Sequence, residues 1–191
     1  NQFIKVTEVA AYGAYPFIGK GDKNAADKGA VDLMRKELNK IDMDASIVIG
    51  EGEMDEAPML YIGEKVGTKK GQKLDIALDP IEGTNFVANN LANSFSIMAV
   101  AEKGNLFSAP DTYMEKIAIG GNLPKNLLDL DNSIKENINL LCEAKNTIPE
   151  KITACLLKRD RHNKIIEDLQ KLKVKINFIS DGDVAGAISV I

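Results

Sequence analysis

The sequence predicts an α/β fold, and three stretches carry that prediction. Residues 73–78, Lys-Leu-Asp-Ile-Ala-Leu, form a short β-rich apolar run that reads as a buried strand. Residues 23–41 place Ala30, Val31, Met34, Leu38 and Ile41 at close to 3.6-residue spacing, so one stripe of a helix faces a core. In the last third, a strand over 152–157, a helix marked by Ile165, Ile166, Leu169 and Leu172, and a strand over 174–179 follow in turn. That β-α-β rhythm predicts parallel strands joined by a right-handed crossover.

Composition sets the class. Of 191 residues, 45% are hydrophobic and 27% charged, as in ordinary globular proteins. The net charge of −4 gives no reason to expect nucleic acid or an anionic membrane as a partner. Cys142 and Cys155 form no CxxC pair, so reduced thiols in a cytoplasm are expected. No apolar run reaches the roughly 20 residues needed to span a bilayer.

In order, residues 6–18 read as a first helix with Val9, Ala10, Tyr12, Gly13 and Phe17 as its apolar positions, broken by Pro16 or Gly19. A loop over 19–23 follows, and Asp22 can cap the second helix. Lys23 and Asp27, four apart, share a face of that helix. Residues 45–49 form a β run, followed by Gly50-Glu51-Gly52-Glu53-Met54-Asp55-Glu56. As a solvated loop this acidic string is unremarked. As a strand end flanked by glycines, it delivers Glu51 to a metal. Residues 59–66 are ambiguous between strand and helix, and 67–71 form an exposed turn.

The central stretch is Asp79-Pro80-Ile81-Glu82-Gly83-Thr84. Pro80 cannot donate to a ladder and is expected to end the strand before it. Gly83 permits a sharp turn and close approach to an anion. Asp79 and Glu82 then sit at a strand's C-terminal end, where hard carboxylate oxygens suit Mg²⁺ or Mn²⁺. A strand over 94–101, a hairpin turn over 102–105 and a partner strand over 106–108 follow, then a loop and strand over 111–120. The connection over 124–131 is taken as the boundary between domains 1–122 and 123–191. Beyond it, Ser133 or Asn132 caps a helix over 133–145 with Ile134, Ile138, Leu141 and Cys142 on one face.

The β-α-β unit has its own chemical residues. Its ligand crevice should lie beyond the strands' carboxyl ends. There the sequence places Lys158-Arg159-Asp160-Arg161-His162 and Asp181-Gly182-Asp183. The cations can hold a phosphate and the carboxylates can accept from sugar hydroxyls. Cations at a helix N-terminus oppose its dipole, and an anionic ligand there would resolve the conflict. With His162 the only histidine, a nucleophilic triad or His-rich zinc site is not expected.

The central stretch resembles the metal-binding motif of the lithium-sensitive sugar and inositol phosphatases, with Glu82 where the usual form has Asp. Together with Gly21-Asp22-Lys23-Asn24-Ala25-Ala26-Asp27, Ile49-Gly50-Glu51-Gly52-Glu53 and Ala109-Pro110-Asp111-Thr112-Tyr113-Met114-Glu115-Lys116, it resembles the class II, GlpX-type fructose-1,6-bisphosphatases, from about Val6 to the last residue. The resemblance implies a layered α-β-α-β-α fold with its C-terminal half incomplete. It implies metal-dependent hydrolysis of the 1-phosphate of fructose 1,6-bisphosphate by a cytoplasmic homo-oligomer. Asp27 and Glu51 would hold one cation, and Asp79 and Glu82 another. Thr84 would orient the attacking water or the scissile phosphate, backbone N–H groups of Gly83 and Thr84 would bind phosphate oxygens, and Lys23 would balance charge nearby. Tyr113, Arg159, Asp160, Arg161, Asp181, Gly182 and Asp183 would contact substrate. A sedoheptulose bisphosphatase, or an enzyme of both sugars, would share these motifs. An inactive phosphosugar-binding or metal-binding fragment is the alternative outside enzymology. The chain opens without Met and stops inside the apolar run 185–191, so an N-terminal fragment that self-associates is expected. The resemblance implies that such a fragment lacks one metal-ligating Glu.

Overall fold

Helix α1 (Gln2–Ala14) starts before Val6 and buries Val6, Ala10, Gly13 and Ala14. Tyr12, expected on its apolar face, is instead 73% exposed. The helix yields to a 3-10 turn over Tyr15–Phe17, because Pro16 cannot supply the next helical hydrogen bond. Helix α2 (Lys23–Leu38) is capped as expected, the Asp22 carboxylate accepting from the Ala25 N–H at 2.9 Å. It buries Ala26, Ala30, Val31, Met34 and Leu38. Ile41 lies past the helix end but is also buried. This computed structural model describes residues 2–52, 59–107, 112 and 114–190.

The chain divides into two units, residues 1–112 and 113–191. The first holds a four-stranded sheet in the order β2-β1-β3-β4, formed by β1 (Met43–Ile49), β2 (Lys65–Val66), β3 (Gln72–Glu82) and β4 (Phe95–Glu102). β3 runs parallel to β1 and antiparallel to β4, while β2 pairs antiparallel with β1. Helices α1 and α2 pack on each other and against β3. The core between them is built from Val6, Met34, Leu38, Met43, Ile47, Leu60, Val66 and Ile76. Of the ambiguous 59–66 segment, only Lys65–Val66 is strand.

Pro80 does not end its strand. β3 continues to Glu82, with a register shift against β4 between Asp79 and Glu82. On the β1 side the pairing stops at Ala77, so Pro80 occupies an irregular stretch where its missing N–H is tolerated. A short helix α3 (Thr84–Ala88) follows, too brief to show periodicity in the sequence. After β4 the chain turns, but Leu106 and Phe107 form no partner strand, and β4 takes β3 as its neighbour instead. Ser108 lies outside the described residues. So do Asp111 and Tyr113; the rest of 112–120 contains no strand.

The second unit contains α4 (Ile134–Ala144), β5 (Thr153–Leu157), α5 (Asn163–Lys171), β6 (Lys175–Ile179) and α6 (Asp183–Ile188). β5 and β6 pair in parallel, as the β-α-β rhythm requires. Ile138, Cys142, Ile152, Leu169 and Val174 form its core. Ser133 caps α4 in a full capping box: its Oγ accepts from Glu136 N–H, and the Glu136 carboxylate accepts from Ser133 N–H at 2.8 Å. Ser133 Oγ also donates to the Glu136 carboxylate at 2.7 Å, and this bond, followed by the one from Ser133 N–H, holds the Glu136 pKa below its usual value.

Ser133→Ala removes a donor to Glu136 and the acceptor for its N–H. It should destabilise the second unit by about 1 kcal/mol. Faster amide exchange in the first turn of α4 would show the loss. Unchanged exchange there would mean the box contributes nothing.

Candidate functional site

The topology brings the acidic residues to one end of the sheet. β1 and β3 run parallel, with Ile49 opposite Ala77. The residues just past that pair, Glu51 beyond β1 and Asp79 still within β3, therefore lie at the same end of the sheet. α2 reaches β1 through a short link over 39–42, so it runs back along the sheet. Its N-terminal end, with Asp27, returns to the carboxyl ends of the strands. There the loop before α2 is tied to α3 by Gly19 N–H to Val87 O at 2.9 Å and Gly21 N–H to Ala88 O at 2.8 Å.

Asp27, Glu51, Asp79 and Glu82 are all part-buried. Burial pushes the Asp27 pKa up, and a hydrogen bond with Glu51 partly offsets this. Glu51 is pushed up to about 7, first by burial, then by the Asp27 charge and their shared hydrogen bond. Asp79 is raised by burial, lowered by a hydrogen bond with Glu82, and raised again by the Glu51 charge. The Asp79 carboxylate also accepts from Ile81 N–H at 2.9 Å, and Asp27 adds a weaker upward push. The four carboxylates thus meet in two pairs, Asp27 with Glu51 and Asp79 with Glu82, and the pairs feel each other.

Gly83 adopts a left-handed conformation, φ 80°, at the start of α3. A Cβ there would lie 2.9 Å from the Phe86 ring, so the turn excludes side chains twice over. Ser94 Oγ donates to Glu82 O at 2.9 Å and steadies the turn from the far side. Thr84 is part-buried at the first position of α3. Lys23 is exposed at the first position of α2. Burial and Glu51, not Lys23, set the Asp27 pKa.

The donor set fits a hard divalent cation. Four oxygen ligands from carboxylates, partly withdrawn from water, suit Mg²⁺ or Mn²⁺. Among the described residues no three such side chains already surround one point, so the pairs would have to draw in on the ion. Glu53, Asp55 and Glu56 lie outside the described residues.

The candidates at the other strand ends belong to the second unit. Arg159 donates to Ser180 O at 2.7 Å and to Lys158 O at 3.1 Å, tying the ends of β5 and β6. Asp160 and Arg161 are exposed on a 3-10 turn over Asp160–His162. His162 Nδ1 lies 2.7 Å from Leu157 O. Gly182 is buried with φ 74°, flanked by part-buried Asp181 and exposed Asp183. Asp183 pairs loosely with Lys116 at 3.9 Å. Tyr113 lies outside the described residues.

Sequence reasoning missed Glu64 and Arg35. Glu64 is 5% exposed and pairs with Arg35 Nε at 2.6 Å. The available signal was alternation: Glu64 and Val66 are buried on either side of exposed Lys65.

Comparison with known proteins shows the family. The family model described as "Bacterial fructose-1,6-bisphosphatase, glpX-encoded" matches residues 1–191. The chain belongs to this family. It is 46% identical over 187 residues to the class 2 fructose-1,6-bisphosphatase 1 of Escherichia coli K12, covering 98% of this chain and 55% of that protein. The Haemophilus influenzae class 2 enzyme is also 46% identical, with 98% and 56% covered. A Thermosynechococcus vestitus protein named D-fructose 1,6-bisphosphatase class 2/sedoheptulose 1,7-bisphosphatase is 43% identical over 200 residues, 98% of this chain and 57% of that one. The chain spans about half the length of the curated relatives it matches.

The raised Glu51 pKa has a stability consequence with a definite sign. In the metal-free chain Glu51 holds its proton to about pH 7, whereas an ordinary glutamate loses it near 4.5. Its contribution to stability is fully present below 4.5 and is lost as pH rises through 7. The metal-free melting temperature should therefore fall across that window, and Glu51→Gln should flatten the fall. A metal-free melting temperature that rises from pH 5 to pH 7.5 in both chains would overturn the assignment.

Proposed function

We propose that this chain carries the metal-binding part of a cytoplasmic phosphatase that removes the 1-phosphate of fructose 1,6-bisphosphate, giving fructose 6-phosphate and inorganic phosphate. The supporting observation is the meeting of Asp27, Glu51, Asp79 and Glu82 at the carboxyl ends of parallel β1 and β3. Asp27 and Glu51 would hold one Mn²⁺ or Mg²⁺, and Asp79 and Glu82 a second. Bound there, such ions supply positive charge for phosphoryl oxygens and acidify a water. The chain's own contribution is to fix the carboxylates. Thr84 orients the water or the scissile phosphate, Gly83 leaves its backbone open to a phosphate oxygen, and Lys23 adds positive charge nearby.

In the second unit, Asp160, Arg161, Asp181 and Asp183 offer a cation and carboxylates to the sugar phosphate, with Arg159 bracing the strand ends and Gly182 holding the turn. No helix among the described residues is long and apolar enough to cross a membrane. A second reading, hydrolysis of sedoheptulose 1,7-bisphosphate as well, is favoured by the names of the cyanobacterial relatives.

Phosphate release with Mn²⁺, measured on both bisphosphates for this chain and for the full-length protein, tests the proposal. In the full-length protein Asp79→Asn should lower kcat by about a hundredfold or more, since several kcal/mol of charge stabilisation depend on the metal. Near-normal turnover by that variant would sink the assignment. Arg161→Ala should raise KM far more than it lowers kcat, because a contact remote from the reacting bond contributes uniform binding. A pure kcat loss would instead put Arg161 in the chemistry.

A further inference from the structure

We propose that Glu64 is a positioning residue for Glu51, and that it acts by holding Leu60 in a left-handed backbone conformation. For its consequence in metal binding the inference rests on the proposed carboxylate site.

Leu60 is completely buried and has φ 56°. A branched side chain in that conformation is strained, and it persists only where its surroundings over-determine it. Three contacts do so. The Leu60 N–H donates to Glu64 Oε2. The Leu60 carbonyl accepts from the Glu51 N–H at 3.0 Å. The side chain lies in the main core. The carbonyl approaches so closely that a Cβ on Gly50 would lie 2.0 Å from it, which is why that neighbour of Glu51 must be glycine. On the other side, Ile62 N–H donates to Gly52 O at 2.9 Å. The backbone of Glu51 is therefore gripped before and after by residues 60–62.

Glu64 in turn is fixed from both sides. Its carbonyl accepts from Ile47 N–H at 2.9 Å, and the Gly63 N–H donates to Ile47 O at 2.8 Å, locking the segment to β1. Its second carboxylate oxygen meets Arg35 Nε at 2.6 Å. Arg35 lies on α2, eight residues or about two turns beyond Asp27. One ion pair, buried at its Glu64 end, thus braces both the helix that carries Asp27 and the segment that grips Glu51. A carboxylate so withdrawn from water is stable only with its partners in place, so this brace has little tolerance for partial loss.

A structural role alone would make Glu64 equivalent to Asp75. Asp75 is 7% exposed and also accepts from a backbone N–H, that of Gly104 at 2.6 Å, at the opposite end of the sheet. Asp75→Asn is therefore the matched control for Glu64→Gln. In the metal-free chain, Glu64→Gln should speed amide exchange at Glu51 and Ile62 tenfold or more, and Asp75→Asn should not. With Mn²⁺, Glu64→Gln should weaken binding by about tenfold to a hundredfold, the usual effect of losing a residue that orients a ligand, with Asp75→Asn unchanged. If Glu64→Gln fails to fold, Glu64→Asp keeps the charge for Arg35 but is too short to hold Leu60, and should give the same exchange result. Unaltered protection of Glu51 and Ile62, or unaltered Mn²⁺ affinity where the native chain binds, overturns the inference. Faster exchange in Glu64→Gln, where the native chain binds no Mn²⁺, upholds the brace and counts against the proposed metal site of this chain alone.

Discussion

Four carboxylates drawn partly out of water cannot all stay ionised without a counter-charge. The rest of the first unit is arranged around that constraint. Asp27, Glu51 and Asp79 all have raised pKa values, burial being the largest cause each time. Left to itself, the cluster must hold protons. Given hard divalent cations, the same burial becomes an advantage, because the attraction between ion and ligand is less screened. A group of residues that is poor for the stability of the empty chain is thus suited to an ion.

The instability has to be absorbed elsewhere. The core beneath the site is apolar and continuous: Met34 and Leu38 from α2, Met43 and Ile47 from β1, and Ile76 from β3 are essentially without exposure. Parallel pairing of β1 and β3 sets the spacing between Glu51 and Asp79. α2 sets Asp27 against them. The segment that grips Glu51 has no regular ladder of its own and depends on a strained leucine and a half-buried ion pair. Strain of this kind concentrates where side chains must be placed against their own preference.

Long periodic elements were legible in the sequence, and short or cooperative ones were not. The stripe of α2, its Asp22 cap, the buried run of β3 and the parallel β5–β6 pair all follow from spacing and side-chain type. The end of β3 did not, because Pro80 was judged by its missing donor alone. Only the pairing shows that no neighbour asks for that donor on the β1 side. The local run marks β4 as a strand but not its partner, since hairpin chemistry is local and the antiparallel register with β3 is not. Of the site, the motif residues were visible because acids beside glycine and proline at a strand end are distinctive. Glu64 was invisible because its role exists only once Leu60 and Arg35 are brought to it.

The second unit shows why residue type alone does not assign a role. Arg159 and Arg161 look alike in the sequence, two cations after one strand. In the fold they differ. Arg159 directs its guanidinium to backbone carbonyls of Ser180 and Lys158, neutral acceptors that close the ends of two parallel strands. An arginine spent in this way has fewer donors to offer an anion, and moving it would loosen the turn that carries Asp181 and Asp183. Arg161 stands exposed on the next turn. Residue type is thus shared while surroundings are not: Arg159 shapes the strand ends, and Arg161 occupies the exposed turn that follows.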